Sequence, residues 1–290
     1  MTPETAVVQA LNGISFGALL FILAAGLSLI FGMMDVVNLA HGAFYMLGAY
    51  ITLTVVQRTG QFWLALVLAP LLIGALGLVM EPLLLRRLRG RHLDQVLLTI
   101  GVSLVIADVV GLTWGREIRS VPFPAGLDHA ITILGGDYPV YRLFVIAFGV
   151  VLAIVLAIVH RRTRVGALIR AGVQDAPMLA ALGVDIDRLF AVTFAIGAAL
   201  AGLAGVIAAP VFGIYPGMDV DYLIYSLVVV VVGGLGTLSG AVAGSALIGP
   251  ADTFGKVLVP QFALALIFAI MALVLLLRPT GLLGRIRIAR

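Results

Sequence analysis

Cysteine is absent from this sequence, and charged residues fill only 11% of its 290 positions. Without cysteine the chain has no disulfide framework and no thiol chemistry. Soluble globular domains are about half apolar and about a quarter charged, whereas this chain is 62% hydrophobic. The composition therefore excludes an ordinary soluble domain and predicts a polytopic membrane protein.

Sequence motifs for catalysis and nucleotide binding are also missing. The string closest to a phosphate-binding Walker loop, residues 249–257, has the wrong spacing and lacks Ser or Thr after Lys256. HExxH and GxSxG patterns do not occur, and the four histidines are scattered. Basic residues without interleaved aromatics do not suggest nucleic-acid binding. We expect no enzyme activity, cofactor or metal in this chain, so energy for any active process must come from a partner.

Apolar segments recur from one end of the chain to the other, with no soluble block between them. A helix needs roughly 20 apolar residues to cross the hydrocarbon core of a bilayer. The segments are 13–32, 42–56, 62–85, 96–113, 143–159, 189–209, an interrupted one at 223–249, and 259–277. We predict an all-α transmembrane bundle of about eight segments, forming a single domain over residues 1–290.

Arginine clusters set the expected orientation. The stretches 86–91, 161–188 and 278–290 hold 13 of the 18 basic residues. Cytoplasmic loops collect Lys and Arg, so these three stretches are predicted to be cytoplasmic. By parity, the connections 114–142, 210–222 and 250–258 are then external. Segment 223–249 must begin and end outside. Its centre reads GGLGTLSG, which indicates a re-entrant or broken hairpin, or two short crossings if the turn reaches the cytoplasmic face.

An earlier interruption separates the first two apolar segments, where residues 33–41 read MMDVVNLAH. Asp35, Asn38 and His41 are spaced by three and would share one face of a helix. Paired interruptions in the two halves of a transporter point to its substrate path. The alternative is a polar break between two helices whose hydrogen bonds are satisfied locally.

Three acidic residues lie in or near apolar segments. Asp108 falls inside segment 96–113, where an acid is costly and suggests a function. Its alternative is a solvated position near the external end of that segment. Asp219 and Asp221, in the string GMDVDY, are predicted to be solvated loop residues near the external mouth.

The longest polar stretch, residues 161–188, is predicted to be a docking surface for a cytoplasmic partner. It contains five arginines, including Arg170. Within it, Asp175 is a suitable helix cap, Pro177 suits the first turn, and Gly183 would end the helix. Its apolar residues Met178, Leu179, Ala181 and Leu182 could enter a groove on a partner. The alternative is an amphipathic helix lying on lipid headgroups.

Three strings resemble one family. They are GLSLIFGMMDVVNLAHGAFYMLGAY at 26–50, GALIRAGVQDAPMLAALGVDIDRLFAVTFAIGAALAGLAGVIAAP at 166–210, and SLVVVVVGGLGTLSGAVAGSALIG at 226–249. In this order they are similar to the LivH type of inner-membrane permease for branched-chain amino acids, a subunit of ABC transporters. Ala43 departs from the resemblance, since many members have an acidic residue there.

The resemblance implies a bacterial inner-membrane transporter with a second, LivM-like permease chain, two cytoplasmic ATP-binding subunits and an external solute-binding protein. It implies ATPase docking by the 161–188 stretch and specificity in the binding protein. The expected substrate path is formed by Asn38, His41, Gly42, Gly233, Gly234 and Gly236. The expected docking residues are Arg170, Asp175, Pro177, Met178, Leu179 and Gly183.

Alternatives to this function remain at the level of sequence. An ion-coupled secondary transporter would use Asp108, Asp35 or His41. A permease of the same ABC type could carry urea or short amides. A membrane scaffold would carry nothing.

Overall fold

A computed structural model describes residues 3–133 and 136–284; the predicted external residue Gly135 and the tail residues Arg285, Arg287 and Arg290 lie outside the described residues. The described chain is almost entirely helical, which confirms the predicted fold class. Its helices are α1 (Pro3–Met34), α2 (His41–Thr59), α3 (Phe62–Met80), α4 (His92–Trp114), α5 (Val140–Arg162), α6 (Arg164–Ala181), α7 (Ile186–Ala208), α8 (Met218–Gly233), α9 (Leu238–Leu258) and α10 (Ala263–Leu277). Strands β1 (Ala130–Ile133) and β2 (Gly136–Pro139) form a small antiparallel hairpin.

Within the described residues, six helices are long and apolar enough to cross a membrane. They are α1, α3 with its short extension, α4, α5, α7 and α10 with the turn before it. In addition, α8 and α9 form one bent pair whose axis turns by 114° over a short break. This pair is the interruption predicted at 223–249. Helix α2 corresponds to the predicted segment 42–56, but it lies in the interior of the bundle.

Basic segments gather at one end of the bundle. Arg86 and Arg89, which follow α3, both pair with Asp187 at the start of α7. Helix α6 packs on the end of α1, where Gly172 lies against Met33. The opposite end holds the β-hairpin and the 209–217 connection. The basic stretches 86–91 and 161–188 therefore lie at the same end of the bundle, and their location on the cytoplasmic side stays a prediction.

Small residues bring the central helices into backbone contact. Gly17 of α1 lies against the Ser245 carbonyl of α9, and Gly197 of α7 lies against α1. Gly205 of α7 touches Tyr45 of α2 in the same way. Such close approach supplies dispersion energy between helices that lipid does not drive together. These small residues therefore pack helices against one another within this one chain.

The peripheral helices expose most of their apolar surface. In an apolar 18-residue stretch of α1, 78% of the residues are buried inside the chain. In the corresponding stretches of α4, α5 and α10, only 11% are buried. Exposed apolar helices are stable only against lipid or against another apolar protein surface. The bundle thus has a packed centre of α1, α2, α7, α8 and α9, surrounded by helices suited to a bilayer.

Candidate functional site

At the break between α1 and α2, the chain turns back into the interior of the bundle. Helix α1 ends at Met34, Asp35 adopts a left-handed φ of 55°, and residues 35–40 are not helical. Nε2 of His41 then donates a hydrogen bond to the backbone carbonyl of Leu23 at 2.9 Å. Leu23 lies eleven residues before the end of α1, which is about 16 Å along the helix axis. Helix α2 therefore starts deep inside the bundle.

Polar contacts tie this break to α4. The backbone N–H of Leu39 donates to the Thr99 hydroxyl at 3.2 Å, and the Asn38 side chain accepts from the N–H of Ala40 at 3.1 Å. Asn38 and His41 are both buried. Nδ2 of Asn38 and Nδ1 of His41 have no hydrogen-bond partner in the described part of the chain. The structure thus brings Asn38, His41 and Thr99 together around buried polar atoms that can bind a solute or water.

Asp219 occupies a position that the sequence analysis predicted wrongly. Helix α8 begins at Met218 rather than near 223, so Asp219 lies in its first turn and is only 4% exposed. Ser103 of α4 donates to its Oδ2 at 3.4 Å. Asp221 is exposed, as expected, and accepts a hydrogen bond from the hydroxyl of Tyr215 at 2.7 Å. Burial and this hydrogen bond raise the pKa of Tyr215 to about 12, so it remains a donor at neutral pH.

The sequence around Asp219 carries the signals of a helix start. Gly217, with φ of 106°, precedes α8, and acidic residues fill its first turn. An acidic first turn after glycine is typical of a helix N-terminus. That signal places the helix start correctly. It does not reveal that Gly42 of α2 packs against the backbone of Asp219 and buries it.

The glycine turn between α8 and α9 lies at the basic end. Gly236 contacts Gly32 near the end of α1, and Gly234 contacts Gly284. Backbone N–H groups of Leu282 and Leu283 donate to the last carbonyls of α8 at 2.8 Å. Gly32 is nine residues beyond Leu23, or about 13 Å along α1. Gly233, Gly234 and Gly236 are therefore not beside Asn38, His41 and Gly42, and the proposed path role of both groups stays a prediction.

Helix α6 contains a kink at the predicted cap. Asp175 has non-helical angles (φ −155°, ψ 90°), and its carboxylate accepts from the N–H of Met178 at 2.8 Å. Pro177 lies in the turn that this bond closes, and Gly183, with φ of 84°, follows the helix end. The local geometry is the one that the sequence predicts. The docking role of these residues stays a prediction.

The second half of α6 has one buried side, which packs against the bundle, and one exposed side. Leu179 is 7% exposed and packs in a small apolar cluster with Met33 and Leu189. Met178 and Leu182 are 58% and 70% exposed. Arg170, in the first half of α6, is partly buried, and its Nη1 has no partner among the described residues. The exposed surface of α6 after Asp175 is therefore apolar, and the buried side chain of Leu179 packs that part of the helix against the bundle.

An ion-pair network that the sequence analysis missed supports the start of α7. Glu81 is fully buried in the π-helical turn Glu81–Leu85, and its Oε1 accepts from Arg89 at 2.8 Å. Arg89 also pairs with Asp187, and its guanidinium lies 4.3 Å from the ring centre of Phe190. A single acid at the end of an apolar run, followed by several arginines, is the signal that could have revealed it.

Two adjoining cavities of about 220 and 330 Å³ open at the end opposite α6. Both are lined by Phe16, Phe212 and Lys256. Buried Asp252 accepts from the Tyr225 hydroxyl at 2.9 Å and pairs with Lys256 at 2.6 Å. The predicted path residues do not line these two cavities. The cavities are lined by aromatic and charged side chains and are not an extension of the α1–α2 break.

Comparison with known proteins gives one consistent result. Residues 9–275 match the family model described as branched-chain amino acid transport system, permease component. The chain is 31% identical to the branched-chain amino acid permease BraD of Pseudomonas aeruginosa and 30% identical to LivH of Escherichia coli K12. Both matches cover 96% of this chain and 95% of the relative. Escherichia coli LivM is 26% identical over 92% of this chain and 68% of its own length. No solved structure matches the chain.

Proposed function

Because the chain belongs to the family of branched-chain amino acid transport system permease components, we propose that it is the membrane-spanning subunit of an ATP-driven importer for branched-chain or related amino acids. As a member of this family it is a transport component and not an enzyme. ATP would be hydrolysed by two cytoplasmic partner subunits. A LivM-like second permease and an external solute-binding protein would complete the assembly in the bacterial inner membrane.

One observation carries the proposal beyond the family: the exposed apolar surface of α6. Met178 and Leu182 are exposed on this helix, and Leu179 on its buried side packs in the apolar cluster with Met33 and Leu189. An apolar helix surface of this kind fits a hydrophobic groove on a partner. Its location among the basic segments is the one expected for a cytoplasmic ATPase. This docking element begins at Asp175 and Pro177 and ends at Gly183. Arg170 lies before it, in the first half of α6.

The contacts of α6 suggest how a partner would act on the path. Gly172 of α6 lies against Met33, next to the residue where α1 ends. The break at 35–40 follows directly and leads to His41 and Gly42. A displacement of α6 would therefore reach the break through one packed contact. We place the substrate path at Asn38, His41 and Gly42, with the turn of Gly233, Gly234 and Gly236 as a second moving part.

Reconstitution tests this function directly. The complex of this chain with its cognate permease, ATPases and binding protein is placed in liposomes, and uptake of labelled leucine, isoleucine and valine is measured with and without internal or external ATP. We expect uptake only when ATP reaches the ATPases. Uptake that is abolished by an uncoupler but indifferent to ATP would instead support an ion-coupled transporter. Uptake of urea or acetamide in preference to leucine would support the amide alternative.

Cross-linking tests the docking surface, and the absence of cysteine makes it simple. Met178→Cys is combined with single cysteines on the ATPase, while Gly60→Cys serves as the control because Gly60 lies in an exposed turn between α2 and α3. We expect cross-links from position 178 only. An active complex without cross-links from position 178 would contradict the docking role. Labelling of Met178→Cys by an impermeant reagent from outside intact cells would contradict the orientation.

The ion-coupled alternative has less support from the structure. Two of its three candidate carriers, Asp35 and Asp108, are exposed rather than enclosed in the bundle. An ion carrier needs access to each side in turn, which an acid on the outer surface of α4 does not provide. His41 is buried, but its Nε2 is already used in a backbone hydrogen bond.

A further inference from the structure

Asp219 is an acid in the middle of the membrane-spanning bundle. Its Oδ2 accepts from Ser103, the twelfth residue of the 23-residue helix α4. Since α4 spans the bilayer by length and composition, its midpoint lies near the bilayer centre. Asp219 is 4% exposed, so water around the bundle does not solvate it. An ionisable residue at this depth is by default a candidate for function.

The carboxylate of Asp219 has no cationic partner among the described residues. The ion pairs of the described chain involve Glu81, Asp94, Asp187 and Asp252, and none of them reaches Asp219. The carboxylate instead accepts a hydrogen bond from the Ser103 hydroxyl, and its negative charge lies at the start of α8. Helix N-termini favour such a charge. Oδ1 makes no hydrogen bond of normal geometry within residues 3–133 and 136–284.

The open carboxylate oxygen belongs to the same region as the α1–α2 break. Gly42 packs on the backbone of Asp219, and the N–H of Leu39 donates to Thr99. Thr99 and Ser103 are one turn apart on the same face of α4, about 6 Å along its axis. The break and Asp219 therefore lie next to each other on the same face of α4. Nδ2 of nearby Asn38 is also unpartnered in the described chain.

We propose that Asp219 binds the α-ammonium group of the transported amino acid as it passes the centre of the bundle. This proposal rests on the proposed function and adds a residue that the family resemblance does not supply. An ammonium group donates to a carboxylate in a charge-assisted hydrogen bond, which is stronger than a neutral one. The hydroxyls of Ser103 and Thr99 provide further polar contacts. Neutral urea and amides gain no such ion pair, so Asp219 favours an amino acid over these alternatives.

A metal ion is a poorer match for this position. Calcium binds six to eight oxygens and magnesium requires near-octahedral coordination. The described chain contains no group of three or more His, Cys, Asp or Glu side chains placed to hold a metal. One carboxylate with two hydroxyls is instead a small set of acceptors, which suits the three N–H donors of an ammonium group.

The first experiment measures ATP-driven leucine uptake by the complete complex in liposomes. Asp219→Asn keeps the shape and the contact with Ser103 but removes the charge. Because a hydrogen bond to a charged group is worth about tenfold to hundredfold in binding, uptake efficiency is expected to fall by about that factor. Asp221→Asn is the matched control, since Asp221 lies two residues away, is exposed and should leave uptake within about twofold of the unsubstituted complex. Basal ATPase activity reports assembly for each variant.

The second experiment needs no transport. Ser103→Cys places the only thiol of the chain beside Asp219. A small cationic methanethiosulfonate is expected to react faster than a neutral reagent of equal size, and leucine should slow the cationic reaction. Both effects should disappear when Asp219→Asn is added. The proposal is overturned if Ser103→Cys reacts equally fast with the cationic and the neutral reagent and Asp219→Asn shows normal uptake. The importer function would remain intact in that case.

Two other results would distinguish failure of the proposed function from failure of the ammonium site alone. If the unsubstituted complex takes up no amino acid with ATP and all partners present, the proposed function fails, and the ammonium site fails with it. If uptake requires Na⁺ and Asp219→Asn removes that requirement, the carboxylate is an ion site and the ammonium proposal is wrong.

Discussion

Gly42 of α2 packs its backbone directly against the backbone carbonyl of Asp219 in α8. This contact joins the helix that begins at the α1–α2 break to the helix that presents the buried acid. Because both backbones are held by their own helices, neither can move aside cheaply. The position of Asp219 at the break therefore depends on the absence of a side chain at residue 42.

Replacing Gly42 with alanine should separate α2 from α8. The added Cβ would overlap the Asp219 carbonyl, and overpacking of this kind costs about 1–3 kcal/mol. Thermal unfolding in detergent should show a lower Tm, and leucine uptake should fall. Gly101→Ala on exposed α4 is the control, because nothing lies within 4 Å of its added Cβ. It should be neutral or stabilise the helix by up to about 1 kcal/mol. Equal Tm values for both variants would contradict the packing argument.

Removing Arg89 should leave Glu81 buried and unpaired. Glu81 is fully buried, whereas Arg89 is partly exposed. Breaking a buried ion pair from one side costs about 3–5 kcal/mol, so Arg89→Ala should lower stability strongly. Adding Glu81→Gln should recover much of the loss because no buried charge remains. Exposed Arg87→Ala is the matched control. A double variant as unstable as Arg89→Ala alone would show that Arg89 acts by other contacts, such as Phe190.

Asp175→Ala should loosen the second half of α6. The carboxylate caps the N–H of Met178, and loss of a helix cap costs about 0.5–2 kcal/mol. Hydrogen exchange at residues 178–182 should become faster, and ATPase binding should weaken. Asp175→Ser retains a capping oxygen and should preserve both properties. Unchanged exchange in the alanine variant would mean that the packing of Leu179 alone orders this turn.

Gly234→Val should block transport by displacing the segment after α10. Gly234 has φ of 115°, and an added Cβ would meet the backbone of Gly284. Gly60→Val provides the control, because Gly60 also has positive φ (71°) but open space around it. The two variants share backbone strain of about 1–3 kcal/mol and differ in the clash. We expect assembled, inactive complexes for position 234 and active ones for position 60. Normal uptake by Gly234→Val would remove this turn from the transport mechanism.

Local sequence patterns predicted several features of this protein correctly. The spans follow from runs of apolar residues, because only a helix satisfies its backbone hydrogen bonds inside a bilayer. The broken α8–α9 pair follows from its central glycines. The cap at Asp175 and the helix end at Gly183 also depend only on neighbours in the chain.

The misplacement of Asp219 shows where local patterns fail. Its string, GMDVDY, has the polarity of a surface loop, and Asp221 is indeed exposed. Burial of Asp219 requires α8 to start earlier and to meet Gly42, which is 177 residues away in the chain. Glu81 is a second case, because Arg89, which compensates its buried charge, also pairs with Asp187, 98 residues further along the chain.

By itself, the sequence determined that this chain is a helical membrane protein, which of its segments are basic, and where its helices are interrupted. These properties depend on composition and on residues close together in the chain. Only the tertiary structure decided that α2 lies at the centre, that Asp219 is buried without a cationic partner among the described residues, and that α6 contacts the end of α1. Those features depend on which helix faces meet, and backbone contact between glycines and distant carbonyls sets that choice.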